Sequence, residues 1–158
     1  MTRKIGILLA VFTALAITAS MSLGVAAKFH STTSSVSNGG ALVVSFDERG
    51  LGNGNIDYTL TADAEAVFAC INGGGKHPQA ANKETINAEV SGNGSFESRN
   101  GRVSASLSAG PPSAGSFSCP GGQRLVFASV SYTNIVLTDT TNGTSVNVAD
   151  ASRTFFTF

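Results

Sequence analysis

The chain has 158 residues and a formal net charge of zero, and only 13% of its residues are charged. That balance leaves no electrostatic footprint for a nucleic-acid partner. Gly, Ser, Thr and Asn dominate the polar positions, which is typical of short strands joined by tight turns, so we expect an all-β fold.

The N-terminus has the three-part layout of an export signal, which we assign to residues 1–27. Arg3 and Lys4 give a positive start, residues 5–19 carry no charge, and the small residues 25–27 form a cleavage site. A retained membrane anchor is the alternative, but the apolar run is shorter than the roughly 20 residues that a spanning helix needs. We therefore predict a secreted or cell-surface protein with no membrane span after signal cleavage.

Residues 28–40 contain a run of Ser and Thr without hydrophobic periodicity. This composition predicts a flexible leader, with a glycosylated stalk as the alternative. The folded part is then a single domain at residues 41–158. His30 falls in the predicted leader, which leaves His77 as the one histidine of the predicted domain.

Short segments of alternating apolar and polar residues fill the predicted domain. Two of them, at residues 56–61 and 66–71, are separated by a more polar stretch, and the second is apolar on both faces, as in a central strand. The longest β-favouring run, residues 125–138, changes its apolar phase after Thr133, which predicts either a bulge or a change of sheet, located at Asn134. Seven or eight strands in this length predict an antiparallel two-sheet β-sandwich with immunoglobulin-like architecture.

Asn-Gly pairs supply much of the turn chemistry between these segments. We expect antiparallel hairpins at Asn100-Gly101 and Asn142-Gly143, because both residue types tolerate positive φ. Asn93 and Asn142 begin Asn-x-Ser/Thr sequons on predicted turns, so they are candidate N-glycosylation sites in a host that modifies exported chains.

Cys70 and Cys119 are the two cysteines of the chain, and in an exported protein we expect them to form a disulfide. A metal site is the alternative, but His30 and His77 do not complete a common zinc pattern, so we predict no metal and no cofactor. The bridge would bring the loops at residues 71–83 and 109–124 together at one end of the sandwich.

Loops on a rigid scaffold often carry binding residues, and the two longest loops meet at the predicted disulfide end. The candidate binding residues there are Lys76, His77, Gln123 and Arg124. Neither Gly-x-Ser-x-Gly nor His-Glu-x-x-His occurs, so no catalytic residue is assigned.

The sequence predicts an exported, non-catalytic binding or surface-associated module, with an extracellular polysaccharide or protein as its partner. A small secreted enzyme with a site near His77 is the alternative. The aromatic C-terminus at residues 155–158 adds a third class, a small outer-membrane β-barrel or a structural envelope protein.

Four segments, at residues 69–76, 111–114, 119–123 and 130–134, resemble small exported one-disulfide β-domain proteins of unassigned function from bacteria and fungi. The resemblance extends over most of the chain after the signal peptide. It implies an exported β-domain with one disulfide and carries no ligand, activity or catalytic residue.

Overall fold

The computed structural model describes residues 26–72 and 82–157. Its strands, in chain order, are β1 Lys28–Val36, β2 Leu42–Arg49, β3 Gly54–Asn72, β4 Lys83–Ser98, β5 Arg102–Ala109, β6 Gln123–Asp139, β7 Thr144–Asn147 and β8 Ala151–Thr154. One sheet has the order β1-β2-β5, and the other has the order β4-β3-β6-β7 with β8 pairing β6. The prediction of an antiparallel two-sheet β-sandwich is therefore confirmed.

The predicted flexible leader is wrong, because Lys28–Val36 forms strand β1 and pairs with β2 along its whole length. Alternate residues of β1 turn toward the core, and the Phe29 ring lies 6.2 Å from Phe46 and 6.4 Å from Tyr58. Three of the exposed positions, Ser31, Thr33 and Ser35, are Ser or Thr, which a half-exposed strand accepts readily. The folded domain therefore includes this segment.

β3 is one strand of 19 residues where the sequence predicted two. Its even-numbered residues from Ile56 to Cys70 are all buried, so a single inward face runs the length of the strand. The polar residues between the two predicted segments point outward and do not interrupt the pairing. β3 lies between β4 and β6, which confirms that it is a central strand.

The predicted bulge at Asn134 is confirmed. Thr61 pairs with Val136 and Asp63 pairs with Thr133, so one residue of β3 faces two residues of β6. Asn134 adopts a φ of 50°, and its Nδ2 atom donates to Asp63 Oδ2 at 2.7 Å. The bulge returns the following apolar residues of β6 to the buried face.

Of the two predicted antiparallel hairpins, Asn100-Gly101 makes a tight turn between strands that do not pair as a hairpin, whereas the one at Asn142-Gly143 forms. At the first, Asn100 and Gly101 have φ values of 53° and 71°, and the backbones of Arg99 and Arg102 exchange two hydrogen bonds. β4 and β5 then separate into different sheets, so this turn is a corner of the sandwich. At the second, residues 140–143 connect the paired strands β6 and β7.

Asn93-Gly94 lies inside β4, so the prediction of a turn there is wrong. Asn93 Oδ1 accepts a hydrogen bond from Thr59 Oγ1 at 2.8 Å on the neighbouring strand. The adjacent Gly92 is required by packing, since a Cβ atom at this position would overlap the carbonyl oxygen of Ser108 in β5. Here glycine permits the close approach of two strands and makes no turn.

The core lies between the two sheets and includes both tyrosines. Tyr58 is 1% exposed and Tyr132 is fully buried. The Tyr132 hydroxyl donates to the Gly40 carbonyl at 2.6 Å, so it also ties β6 to the turn that precedes β2. The burial of Tyr132 raises the pKa of its hydroxyl.

Candidate functional site

The disulfide predicted between Cys70 and Cys119 is present, with 5.5 Å between the two Cα atoms. It joins the end of β3 to the loop that precedes β6. A disulfide of this kind is typical of an oxidising, non-cytosolic compartment.

Two of the four predicted binding residues lie at this disulfide end. Gln123 pairs with Asn72, Arg124 pairs with Ile71, and Gln123 Oε1 accepts a hydrogen bond from Asn82 Nδ2 at 3.1 Å. The end of β3 and the starts of β4 and β6 therefore meet at this end of the sheet.

The other two predicted binding residues, Lys76 and His77, lie outside the described residues. The binding site proposed from the sequence at the disulfide end therefore stays a prediction.

The two sequon asparagines are both exposed but occupy different environments. Asn93 is part of the β3–β4 pairing through Thr59. Asn142 donates from Nδ2 to Asp139 Oδ2 at 2.6 Å and closes the β6–β7 turn. Glycosylation at either residue stays a prediction.

A better-defined candidate lies on the outward side of the larger sheet, where β4, β3 and β6 run side by side. Asp63 pairs with Glu89 on one side and Thr133 on the other, and Glu65 pairs in the same way with Asn87 and Ser131. These two rows place carboxylates, an amide and hydroxyls next to one another. We call this surface the polar face; it consists of Asp63, Glu65, Asn87, Glu89, Ser131 and Thr133.

The polar face surrounds an open depression with a volume of about 420 Å³. Ala64 and Ala88 also line the depression, at the positions between the two rows. Asp63, Glu65 and Glu89 are exposed, and among the described residues no Lys or Arg lines the depression. The site offers a concentration of hydrogen-bond acceptors with hydroxyl and amide groups beside them.

The charge arrangement on the polar face works against the fold. Asp63 stands directly opposite Glu89, and like charges in this relation destabilise a sheet. No group of His, Cys, Asp and Glu side chains within the described segments could hold a metal ion. The exposed carboxylates of the polar face can accept hydrogen bonds from donor groups of a ligand.

A second acidic cluster is buried between the sheets. Glu48 of β2 accepts a hydrogen bond from the Tyr58 hydroxyl at 2.7 Å, and Asp139 of β6 lies beside it. Glu48 and Asp139 have no solvent exposure, so a substrate cannot reach them in this conformation. Asp139 Oδ1 accepts from the backbone N–H groups of Thr141 and Asn142, both at 2.8 Å.

The surroundings of Glu48 favour its neutral form. Burial raises the pKa of Glu48 most strongly, and the carboxylate of Asp139 raises it further, outweighing the hydrogen bond from Tyr58. Burial and the neighbouring Glu48 carboxyl also raise the pKa of the Tyr58 hydroxyl. The cluster links the two sheets, so its role is structural and its protonation bears on stability.

The alternation of inward and outward residues along β2 and β6 already indicates that these two acids are buried. Glu48 follows the inward residues Val44 and Phe46 at the same two-residue spacing, and Asp139 follows the inward residue Leu137 in the same way. Extending each alternation by two residues would have placed both acids in the core. The polar face carries no comparable signal, because it depends on the register between three strands.

Neither a search for membrane-spanning helices nor comparison with known proteins adds information about the site. Within residues 26–72 and 82–157, no helix is long and apolar enough to cross a membrane. No protein-family model, curated protein or solved structure matches this chain.

Proposed function

We propose that this chain is an exported, non-catalytic binding module that uses the polar face to hold a hydroxyl-rich extracellular polysaccharide. The signal peptide at residues 1–27, secretion and the immunoglobulin-like architecture belong to the same proposal. Its compartment is supported by the Cys70–Cys119 disulfide and by the export pattern of the N-terminus.

The observation that carries the proposal is the placement of Asp63 directly opposite Glu89, with Glu65 two residues further along β3. A neutral residue at any of these positions would fit the exposed strand and remove the repulsion. Local choices that oppose the stability of the fold are expected where a surface serves a function. The depression at this point makes the same surface accessible to a ligand.

The chemistry of the polar face matches the hydroxyl groups of a sugar polymer. Carboxylate oxygens accept hydrogen bonds from hydroxyls, and the Asn87 amide and the Ser131 and Thr133 hydroxyls can both donate and accept. Bonds to an ionised acceptor are the stronger kind. The paired rows of β4, β3 and β6 let an extended chain contact several residues on adjacent strands.

The non-catalytic part of the proposal rests on the environment of the described acids. The Glu48–Asp139 pair is sealed in the core. On the polar face, the lining residues include neither histidine nor cysteine. The secreted-enzyme alternative stays a prediction, because His77 lies outside the described residues.

The test measures depletion of the purified oxidised chain from solution by insoluble neutral polysaccharides, with cellulose, chitin, β-1,3-glucan and mannan as the panel. D63A/E89A removes two acids from the polar face, and E84A/D150A removes two exposed acids from elsewhere. D63A/E89A relieves the repulsion but also removes the hydrogen bond that Asp63 accepts from Asn134, so its circular dichroism spectrum is compared with that of wild type to show that it is folded.

We expect at least one polysaccharide to deplete wild type and E84A/D150A equally and to deplete D63A/E89A much less. Equal depletion of both variants would reject the polar face as the binding surface. If no polysaccharide in the panel depletes the wild-type chain, the assignment of a neutral polysaccharide ligand fails.

A further inference from the structure

A separate charged cluster lies on the outward side of the smaller sheet, around Asp47. Asp47 is 5% exposed although it faces outward from the middle strand of this sheet. Its Oδ1 atom accepts from Arg49 Nε at 2.8 Å, and its Oδ2 atom forms an ion pair with Arg102. Burial would raise the pKa of Asp47, but the bonds from the two arginines outweigh that effect and lower it.

Asp47 fixes two guanidinium groups next to each other. Arg49 and Arg102 are directly paired across β2 and β5, and Lys28 is paired with Arg49 across β1 and β2. Three cations in one row face a single buried carboxylate, so the row keeps a formal charge of 3 − 1 = +2 in a chain whose formal net charge is zero. Like charges directly opposite one another are unfavourable in a sheet, as on the polar face.

The arginine side chains remain accessible despite their bonds to Asp47. Their side chains are 52% and 53% exposed, for Arg49 and Arg102 respectively. Both line an open depression of about 300 Å³ that also contains hydroxyl groups. The hydroxyls belong to Ser31, Thr33, Ser45 and Ser104.

A bulge in β1 contributes to this depression. Phe29 pairs with Glu48 and Ser31 pairs with Asp47, so His30 is the additional residue. His30 lines the same depression as the arginines. Bulges are frequent beside functional sites because they redirect a side chain locally.

We propose that Arg49 and Arg102, held in place by Asp47, form an oxyanion-binding site for the sulfate, phosphate or carboxylate groups of an anionic ligand. A guanidinium group presents several N–H donors in a rigid fork that matches such groups. Asp47 uses part of each fork and restricts the side chain, which lowers the entropy lost when a ligand binds. The surrounding hydroxyls supply further donors.

This site is independent of the polar face, since it lies on the other sheet and selects a negatively charged ligand, whereas the polar face is proposed to hold a neutral one. The proposal that the polar face binds neutral polysaccharide can therefore be refuted while the oxyanion-site proposal holds, and the reverse is also true. Anion binding here should weaken as salt concentration rises, because both arginines are partly exposed.

The test measures binding of dextran sulfate to the purified oxidised chain by calorimetry, with unsulfated dextran as the reference polymer. Removing the arginines alone would leave Asp47 buried without its partners, so the variant is D47N/R49Q/R102Q. This triple change alters the net charge by −1, because two positive charges and one negative charge are lost. R153Q is the matched control, since it also changes the charge by −1 at an exposed site, on strand β8 of the larger sheet.

We expect wild type and R153Q to bind dextran sulfate with similar affinity and D47N/R49Q/R102Q to bind about tenfold more weakly or worse, because charge-assisted hydrogen bonds are lost. Unsulfated dextran should show no binding that depends on these residues. The proposal is overturned if the triple variant binds dextran sulfate as tightly as R153Q. A circular dichroism spectrum matching wild type shows that the triple variant is folded.

Competition experiments identify the source of the oxyanion. In one outcome, inorganic sulfate or phosphate displaces dextran sulfate from wild type but does not displace the dextran sulfate that still binds the triple variant. The site then holds a single free oxyanion. If inorganic sulfate and phosphate do not displace dextran sulfate from wild type, the site requires oxyanion groups that are carried on a polymer. Either result supports an oxyanion site at Arg49 and Arg102.

Discussion

Replacing Glu48 by Gln tests the buried contact between the two sheets. Glu48 lies in β2 of the smaller sheet, while Tyr58 and Asp139 belong to β3 and β6 of the larger one. A neutral Glu48 accepts from the Tyr58 hydroxyl and has a proton to offer Asp139. Gln keeps the size, an acceptor oxygen and a donor, but it cannot ionise.

The sign of the effect follows from the raised pKa of Glu48. Between the ordinary pKa of Glu and the raised value, the folded state holds a proton that the unfolded state has released. The free energy of unfolding therefore falls as pH increases, by about 1.4 kcal/mol for each pH unit within this window. E48Q removes this contribution, so the difference in stability between E48Q and wild type should shift in favour of E48Q as pH rises.

Urea unfolding of both proteins across a series from acidic to mildly alkaline pH measures that difference. E48A is the contrasting variant: it leaves the buried Tyr58 hydroxyl without its acceptor, which costs about 1–3 kcal/mol, and it also opens a cavity. Parallel pH profiles for wild type and E48Q would refute the account, since Glu48 would then have the same pKa in the folded and unfolded states.

Three further predictions concern the framework. Replacing both Cys70 and Cys119 by Ala should lower the free energy of unfolding by about 4 kcal/mol in the chain-entropy model, since the bridge spans 49 residues; chemical denaturation measures this, and an unchanged midpoint would contradict it. Gly92→Ala should destabilise by about 1–3 kcal/mol because its Cβ would overlap the β5 backbone, whereas Gly52→Ala has nothing within 4 Å; equal melting temperatures would refute the close approach. Tyr132→Phe should cost about 1–3 kcal/mol by leaving a buried carbonyl unpaired, and thermal unfolding showing no loss would rule out that bond.

The parts of the fold that depend on local alternation were predictable. The phase change after Thr133 located the bulge at Asn134, since inward and outward positions must alternate along a strand. The disulfide could be located because a chain with two cysteines has one possible intramolecular pairing. The turn at Asn100-Gly101 was also predictable, because its chemistry is local.

The parts that depend on pairing partners were not predictable. β1 carries few apolar residues, so its strand conformation follows from hydrogen bonding to β2 rather than from its own pattern. Asn93-Gly94 has the composition of a turn, yet the approach of β5 explains the neighbouring glycine. The polar face and the Asp47 cluster join three strands each, and the register between strands cannot be read from one sequence.

The location of ligand contact tests the central claim most directly. Backbone amide chemical shifts of the labelled chain would be recorded while a soluble oligosaccharide of the depleting polysaccharide is added. The polar-face account predicts that the largest shifts occur along residues 63–65, 87–89 and 131–133, in the paired rows of β3, β4 and β6. Shifts confined to Gln123 and Arg124 at the disulfide end, with the polar face unchanged, would contradict it.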